Sequence, residues 1–124
     1  MRFGTITCTP ETPLLVVAAT MAENQVHSVI VIGLELPDTP RRWGIVTDID
    51  VLRAADRGIL DTTTAGEIAT TELVQVAPGE PLDHAIQIMA EHEISHLLVV
   101  DPGTDRPDGV LSTLDVAGVL SQDI

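Results

Sequence analysis

The sequence predicts an α/β fold, more strictly α+β, made of two β-α-β-β-α repeats packed as a pseudo-two-fold pair. A short phrase occurs twice, at residues 44–50 (GIVTDID) and 109–115 (GVLSTLD), and each copy has a glycine, two aliphatic residues, a hydroxyl and a final aspartate. Met21-Ala22-Glu23 returns 68 positions later as Met89-Ala90-Glu91, and the apolar runs 29–32 and 97–100 keep that spacing. Similarity at a fixed spacing indicates a duplicated structural unit.

The first half supplies one complete set of these elements. Pro10 and Pro13 favour a helix start after the opening strand, because proline suits the first helical turn. Gly58 is expected to end the last helix, since glycine adopts the left-handed conformation that often follows a helix. The predicted elements are strand 5–8, helix 14–25, strand 26–32, a hairpin loop over 33–42, strand 43–47 and helix 50–57.

The second half repeats the order after a linker. Thr64 precedes Ala65-Gly66-Glu67 in a pattern that predicts a short helix, capped by Thr64 and running through Ala69. The predicted organisation is a first repeat over residues 1–60, a linker over 61–70 and a second repeat over 71–124. The predicted elements of the second repeat are strand 73–76, helix 82–93, strand 94–100, a loop over 101–108, strand 110–112 and helix 115–121.

The two long helices differ in their outer faces. Helix 82–93 has an apolar stripe with polar residues such as Asp83 and Gln87 outside it, which is typical of a helix packed on one side. In helix 14–25, residues 14–19 (LLVVAA) leave almost no polar face, and such a helix is expected to be covered all round. We predict that this helix forms a homodimer contact. Burial within the pair of repeats is the alternative.

The charge composition of the chain indicates which kinds of binding partner are unfavourable. The chain of 124 residues has 19 acidic residues, six arginines and no lysine, which gives a net charge of −13. This balance argues against binding to nucleic acid or to anionic membranes, because both attract basic patches. No apolar run approaches the roughly 20 residues of a membrane span, and we expect no signal peptide. Cys8 is the single cysteine, so no internal disulfide can form, and we expect a cytoplasmic protein.

These features together resemble a tandem pair of cystathionine-β-synthase (CBS) domains, a Bateman module. The resemblance rests on the element order, the two Gly-x-x-Thr/Ser-x-x-Asp phrases and the starts of the second strands, residues 26–29 (VHSV) and 94–97 (ISHL). The junction around residues 64–68 (TAGEI) and 71–74 (TELV) is also similar to that of the family. One departure is the absence of the arginine or lysine that phosphate-binding members often place beside the histidine.

The resemblance implies a regulatory module, not an enzyme, that binds AMP, ADP, ATP or S-adenosylmethionine in the cleft between the repeats. No metal and no obligatory cofactor is implied. Asp50 and Asp115 would accept hydrogen bonds from ribose hydroxyls, since a carboxylate is a pure acceptor. Both also lie at helix starts, where negative charge is favoured. Thr47 and Ser112 would bond phosphate oxygens.

The remaining residues implied for the ligand site fall into two classes. His27 and His96, at the starts of the second strands, would contact phosphates, and Arg53 is the nearest cation in sequence to Asp50. Adenine would lie between apolar strand residues, namely Ile6, Val29, Val74 and Leu97.

Two alternative functions compete with this interpretation. A Thr/Ser-x-x-Asp phrase before a helix is also an ordinary helix cap, so the chain could be a ligand-free module that dimerises and docks an unidentified regulated protein. Residues 92–96 (HEISH) also match the His-Glu-x-x-His phrase of zinc hydrolases, which requires a continuous helix. The repeat predicts that this phrase instead spans a helix-to-strand turn, because His92 corresponds to a helix end and His96 to a strand start.

Overall fold

The computed structural model describes residues 6–36, 39–71, 74–103 and 106–121, without the side chains of residues 35–36, 39–42, 106 and 114. The described residues up to 71 form one compact unit, and those from 74 onwards form another. The first unit contains β1 (Thr7–Cys8), α1 (Leu14–Asn24), β2 (Ser28–Leu36), β3 (Thr39–Thr47), α2 (Asp48–Asp56) and α3 (Ala65–Ile68). The second contains β4 (Gln75–Val76), α4 (Leu82–His92), β5 (His96–Asp101), β6 (Arg106–Ser112) and α5 (Thr113–Ser121).

Each unit is built around a three-stranded mixed sheet. In the first, β1 runs parallel to the central strand β2, and β3 runs antiparallel to it. In the second, β4, β5 and β6 repeat this arrangement. The residue before each short strand also pairs in the same way, because Ile30 N–H donates to the Ile6 carbonyl at 3.0 Å and Leu98 N–H to the Val74 carbonyl at 3.1 Å. The predicted β-α-β-β-α order is therefore confirmed in both repeats.

A separate hydrophobic core lies under each sheet. The first core joins α1 to β2 through the buried side chains of Leu14, Val17 and Val29. The second joins α4 to β5, with Ala85 and Leu97 among its buried members. In each case the helix buries residues three or four positions apart, as expected for a helix that packs on one face. Each repeat therefore has an apolar core of its own.

The hairpins differ from the sequence prediction. The structure extends β2 to Leu36 and begins β3 at Thr39, so the predicted loop over 33–42 is wrong except at residues 37–38, which lie outside the described part. Gly33, with φ of +83°, accommodates a register shift in the ladder, and β3 is an edge strand of its sheet, where a proline such as Pro40 is tolerated. Strand β6 likewise begins within the predicted loop over 101–108.

The predicted linker helix is present, but its predicted cap is not. Thr64 makes no capping hydrogen bond with its side chain. The first N–H groups of α3 instead bond to the turn before α1, with Ala65 N–H donating to the Thr12 carbonyl at 2.8 Å and Gly66 N–H to the Pro10 carbonyl at 2.9 Å. Both carbonyls satisfy free donors of the first turn, and the Pro10 carbonyl takes the Gly66 N–H that a threonine cap could otherwise bind. The residues predicted as a linker therefore pack against the first repeat.

The end of this segment also pairs with β3. Ile45 and Thr70 exchange two backbone hydrogen bonds, each of 2.9 Å. Gly44, the first residue of the repeated phrase, lies beneath the segment. A Cβ atom at Gly44 would lie 2.8 Å from Ala69 Cβ and 2.7 Å from Leu34 Cδ1. The glycine is required here because the segment passes too close for a side chain.

Among the described residues, no helix combines the length and the apolar character that crossing a membrane requires.

We predict that Gly44→Ala destabilises the protein by about 1–3 kcal/mol, the usual cost of overpacking. Gly79→Ala is the matched control, because a Cβ atom at Gly79 meets nothing within 4 Å. The control should be neutral or slightly stabilising. Urea denaturation of both variants measures the difference, and equal midpoints would show that the contact with Ala69 does not constrain position 44.

Candidate functional site

The candidate site begins where β3 runs into α2, at the end of the first repeated phrase. Thr47 is the N-cap residue of α2, and its backbone N–H and its hydroxyl both donate to Asp50 Oδ2, at 2.8 and 3.0 Å. The backbone N–H of Asp50 donates to Thr47 Oγ1 at 3.3 Å. This reciprocal pair is a capping box, which satisfies donors of the first turn that would otherwise lack partners.

The second repeat builds the same box where β6 runs into α5. The backbone N–H and the hydroxyl of Ser112 donate to Asp115 Oδ2 at 2.8 and 2.9 Å, and Asp115 N–H donates to Ser112 Oγ at 3.2 Å. Each distance agrees with its counterpart in the first repeat within 0.1 Å. The two copies of the phrase therefore form the same set of hydrogen bonds. The side chains of Thr47, Asp50, Ser112 and Asp115 all act as helix caps.

Each carboxylate keeps one oxygen outside its box. Within the described residues, all the hydrogen bonds to the Asp50 and Asp115 side chains go to Oδ2. Both side chains are only partly buried. The Oδ1 atoms therefore retain lone pairs that can accept hydrogen bonds from a ligand hydroxyl. Helix capping and ligand binding consequently need not compete for the same oxygen.

The hydroxyl groups of Thr47 and Ser112 both donate and accept hydrogen bonds within their capping boxes. Each hydroxyl proton is donated to an aspartate, and each hydroxyl oxygen accepts a backbone N–H. A hydroxyl has one proton, so donation to a phosphate would break the bond to the carboxylate. Such a change would give up about 1 kcal/mol of hydrogen bonding within the box.

The residues beside the boxes differ between the repeats. In the first, Asp48 N–H donates to the His27 carbonyl at 2.9 Å, and His27 Nδ1 lies 3.0 Å from Asp48 Oδ2. In the second, Thr113 N–H donates to the Ser95 carbonyl at 3.0 Å, and Ser95 Oγ lies 2.9 Å from His96 Nδ1. His27 thus corresponds to Ser95, and the two histidines occupy adjacent but non-equivalent positions.

The sequence reasoning missed Asp48 as a partner of the site. Its signal was available in the repeated phrase, where an acidic residue at the first position of α2 corresponds to Thr113 in α5. The first junction therefore carries two carboxylates, those of Asp48 and Asp50, and the second carries only that of Asp115.

Comparison with known proteins identifies the family of this duplicated architecture. The family model for the CBS domain matches the chain twice, over residues 1–57 and 65–122. The chain belongs to the CBS domain family.

Similar proteins carry the same domains. The CBS domain-containing protein YhcV of Bacillus subtilis is 41% identical over 59 residues, which cover 47% of this chain and 42% of YhcV. Among solved structures, the CBS domain protein PAE2072 from Pyrobaculum aerophilum, complexed with AMP, is 28% identical with a TM-score of 0.74, and the match covers 98% of this chain and 92% of that one. The CBS domain pair of protein MJ0100, in complex with 5-methylthioadenosine and S-adenosyl-L-methionine, is 21% identical with a TM-score of 0.78, and the match covers 96% and 93%.

The apolar residues predicted to contact adenine separate into two kinds in the CBS repeats. Val29 and Leu97 are 1% and 0% exposed and belong to the cores of their repeats. Ile6 and Val74 are only half-buried, and each precedes the short first strand of its repeat. Of these four side chains, only Ile6 and Val74 keep appreciable accessible surface.

Arg53 lies one turn beyond Asp50 on α2 and is exposed. No ion pair of Arg53 is present among the described residues. The corresponding position on α5 is Gly118, which is uncharged. At this position, therefore, the first CBS repeat has a positive charge one turn from its capping box and the second repeat has none.

Residues 92–96, which match the phrase of zinc hydrolases, do not form the continuous helix that zinc binding by this phrase requires. Helix α4 ends at His92, Glu93 takes the left-handed conformation with φ of 52°, and β5 begins at His96. The predicted helix-to-strand turn is confirmed, so the two histidines do not share a helical face. The described part of the chain also contains no group of three or more His, Cys, Asp or Glu side chains that could hold a metal ion.

Cys8 lies in β1 and is half-buried against the first core. Burial raises the pKa of its thiol above the ordinary value of 9.0, and a hydrogen bond with Thr12 partly opposes that shift. A thiol with a raised pKa is a poor nucleophile near neutral pH, because the thiolate is the reactive form.

We predict that Asp50→Ala costs about 1 kcal/mol of unfolding free energy, because it removes the capping box. Asp50→Glu should retain most of that stability, since glutamate is the usual partner in this position of the box. Asp83→Ala, which alters an exposed acid in the first turn of α4, is the control and should cost less than about 0.5 kcal/mol. Urea denaturation distinguishes the three, and an Asp50→Ala variant as stable as the control would contradict a capping role.

We also predict that alkylation of Cys8 by iodoacetamide is slower in the folded protein than in urea at pH 8. The raised pKa of the thiol leaves less thiolate at that pH, so the rate should rise with pH along a curve displaced above that of the unfolded chain. Mass spectrometry over a series of pH values measures this. A folded-state midpoint below the unfolded one would show that the neighbouring groups activate the thiol.

Proposed function

We propose that this CBS pair is a regulatory module that binds an adenosine derivative and has no catalytic role of its own. The candidate ligands are AMP, ADP, ATP and S-adenosylmethionine, and none is needed as a cofactor. The module acts as a homodimer and transmits the state of its ligand site to a regulated protein.

The carboxylate oxygens outside the two capping boxes carry this proposal. Ribose presents two neighbouring hydroxyls, and a carboxylate oxygen that accepts no other hydrogen bond is a suitable acceptor for them. Asp50 Oδ1 and Asp115 Oδ1 meet this requirement, and the boxes hold both carboxylates in one orientation. A pre-oriented acceptor loses little conformational entropy on binding, which favours affinity.

The relatives support an adenosine group as the common part of the ligand. PAE2072, at 28% identity, was solved with AMP, and the MJ0100 pair with 5-methylthioadenosine and S-adenosyl-L-methionine. We assign adenine to the accessible surfaces of Ile6 and Val74. His27, His96 and Arg53 are the proposed partners of a phosphate, and the hydroxyls of Thr47 and Ser112 could join them only by leaving their aspartates.

Charge distinguishes the two junctions. Asp48 adds a second carboxylate beside Asp50, and a phosphate placed there would meet repulsion that Arg53 offsets in part. The second junction has Thr113 in place of Asp48 and so repels a phosphate less. We therefore propose that AMP prefers the second junction, and that the first junction favours a ligand of lower negative charge such as S-adenosylmethionine.

Regulation would follow from differential binding. A ligand changes the balance between two arrangements of a protein only by as much as it binds one of them better. Each box fixes the start of α2 or α5, so a ligand on the carboxylate acts directly on the position of that helix. A docked protein that contacts either helix would experience the change.

We predict that AMP or S-adenosylmethionine raises the melting temperature of the full chain in a dose-dependent way. A ligand at about 100 times its Kd stabilises the folded state by about 2.7 kcal/mol. Differential scanning fluorimetry with AMP, ADP, ATP and S-adenosylmethionine, followed by calorimetric titration, identifies the ligand. Asp50→Glu and Asp115→Glu should each lower affinity at their own junction, because each displaces a carboxylate while keeping its helix cap.

Asp83→Ala is again the matched control and should bind as the wild type does. Unchanged affinity in the chain that carries both Asp50→Glu and Asp115→Glu would overturn the role assigned to the two carboxylates. If none of the four compounds shifts the melting temperature, the ligand-free module that docks a partner protein becomes the better description.

A further inference from the structure

We propose that His27 and Asp48 make the ligand preference of the first junction depend on pH. With His27 neutral, the carboxylate of Asp48 disfavours a phosphate beside Asp50. With His27 protonated, the junction accepts a phosphate, so its preferred ligand changes from S-adenosylmethionine towards AMP as the pH falls. The inference rests on the adenosine binding proposed above and deepens it by naming how the first junction is regulated.

The two side chains, which we call the His27–Asp48 pair, lie together where β2 and α2 begin. His27 Nδ1 lies 3.0 Å from Asp48 Oδ2, and Asp48 N–H donates to the His27 carbonyl at 2.9 Å. Asp48 Oδ1 accepts the N–H of Ile49 at 2.9 Å. The backbone hydrogen bond therefore holds the imidazole and the carboxylate together two positions before Asp50.

The contact with Asp48 determines which nitrogen of the His27 ring can change its proton. An ionised carboxylate only accepts hydrogen bonds, so Nδ1 carries a proton in this contact. The other nitrogen, Nε2, makes no hydrogen bond within the described residues. In the neutral ring Nε2 is an acceptor, which repels the lone pairs of a phosphate oxygen, whereas in the imidazolium it is a donor. Protonation at Nε2 therefore adds both a positive charge and a donor for a phosphate.

The charge of His27 decides the balance of charge at this junction. Asp48 and Asp50 outweigh Arg53 by one negative charge when His27 is neutral, and a protonated His27 removes that excess. Histidine is the side chain that ordinarily changes its charge between about pH 5 and pH 8. The side chains of His27 and Asp48 are 62% and 50% exposed, so water weakens these interactions and we expect effects of several-fold.

The other elements that contact β2 bring no competing charge to His27. Glu23 on α1 and Glu67 on α3 are exposed, and among the described residues neither forms an ion pair with His27. Cys8 on β1 stays neutral in this range, because burial raises the pKa of its thiol above the ordinary value. The arginines at residues 41–42 lie towards the hairpin end of β3, away from the junction.

The second repeat has no equivalent of the His27–Asp48 pair. Ser95 stands where the first repeat has His27, and Thr113 stands where it has Asp48. The neighbouring His96 lies 2.9 Å from the uncharged Ser95 hydroxyl. This junction therefore lacks the carboxylate whose repulsion a protonated histidine would offset, and we expect the change of ligand preference at the first junction.

The first test compares His27→Asn with its parent by calorimetric titration with AMP at pH 5.5 and pH 8. Both chains carry Asp115→Glu, which weakens the second junction. At pH 5.5, His27→Asn should bind AMP about three- to fivefold more weakly, because it lacks the positive charge. At pH 8 the two should agree within about 1.5-fold. Comparing two chains at one pH cancels the titration of AMP itself.

The second test removes the repulsive charge. In the same background, Asp48→Asn should raise the affinity for AMP at pH 8 by about three- to fivefold. Its affinity for adenosine, which has no phosphate, should stay within about 1.5-fold of the parent. Both substituted side chains are exposed, and circular dichroism checks that the variants fold.

The matched control is His84→Asn. His84 forms an ion pair with Glu80, which is the other contact of this kind in the described part of the chain. It lies near the start of α4, at the opposite end of that helix from β5. His84→Asn should bind AMP as the parent does at both pH values.

The third test counts protons. Calorimetry at pH 6.5 in buffers of different ionisation enthalpy measures the protons taken up when AMP binds. The parent should take up more protons than His27→Asn, because a bound phosphate favours the protonated ring, and His84→Asn should match the parent. A purely structural role of His27 would leave this number unchanged.

Four results would overturn the inference: an unchanged affinity for AMP in His27→Asn at pH 5.5, an equal loss at both pH values, no gain for AMP in Asp48→Asn, or equal proton uptake in His27→Asn and the parent. In each of these cases the chain still binds AMP, so the proposed adenosine binding stands. Failure of both AMP and adenosine to bind at either pH would overturn the proposed function and this inference together.

Discussion

The reciprocal hydrogen bonding between a hydroxyl and a carboxylate at each strand-to-helix junction is the constraint on which the rest of the site depends. It satisfies the free backbone donors at the starts of α2 and α5 and, in the same contact, fixes one oxygen of each aspartate. Because each strand is anchored in a sheet with its own buried core, the carboxylates are held by rigid elements. The structural role and the proposed binding role therefore use different oxygens of the same side chains.

The order of the elements could be read from the sequence because its signals are local. Apolar periodicity and the prolines before α1 can be recognised from a few neighbouring residues. The fixed spacing between the repeats can be recognised by comparing the two halves of the sequence. The lengths of the hairpins could not be read in this way. Gly33 and Pro40 indicate a loop locally, but pairing across the hairpin extends β2 and β3 through both of them.

The candidate site shows the same division between local and distant signals. Thr47 and Asp50 are three residues apart, so a sequence pattern can predict their contact, and the pattern in Ser112 and Asp115 repeats it. The contact between His27 and Asp48 spans 21 positions and exists only because β2 and β3 bring the two residues together. The cap of α3 was missed for the same reason, since its acceptors come from the distant turn before α1.

The segment that follows α2 determines how short a fragment can be and still contain a complete first repeat. Ala65 is fully buried in the first core, Leu14 N–H donates to the Thr63 carbonyl at 2.9 Å, and Thr70 pairs with Ile45. A fragment cut at residue 60 would expose that core and leave an edge of β3 without its partner. We therefore expect that the first repeat can be transferred to another protein only together with the stretch up to residue 71, because that stretch completes its core and its sheet.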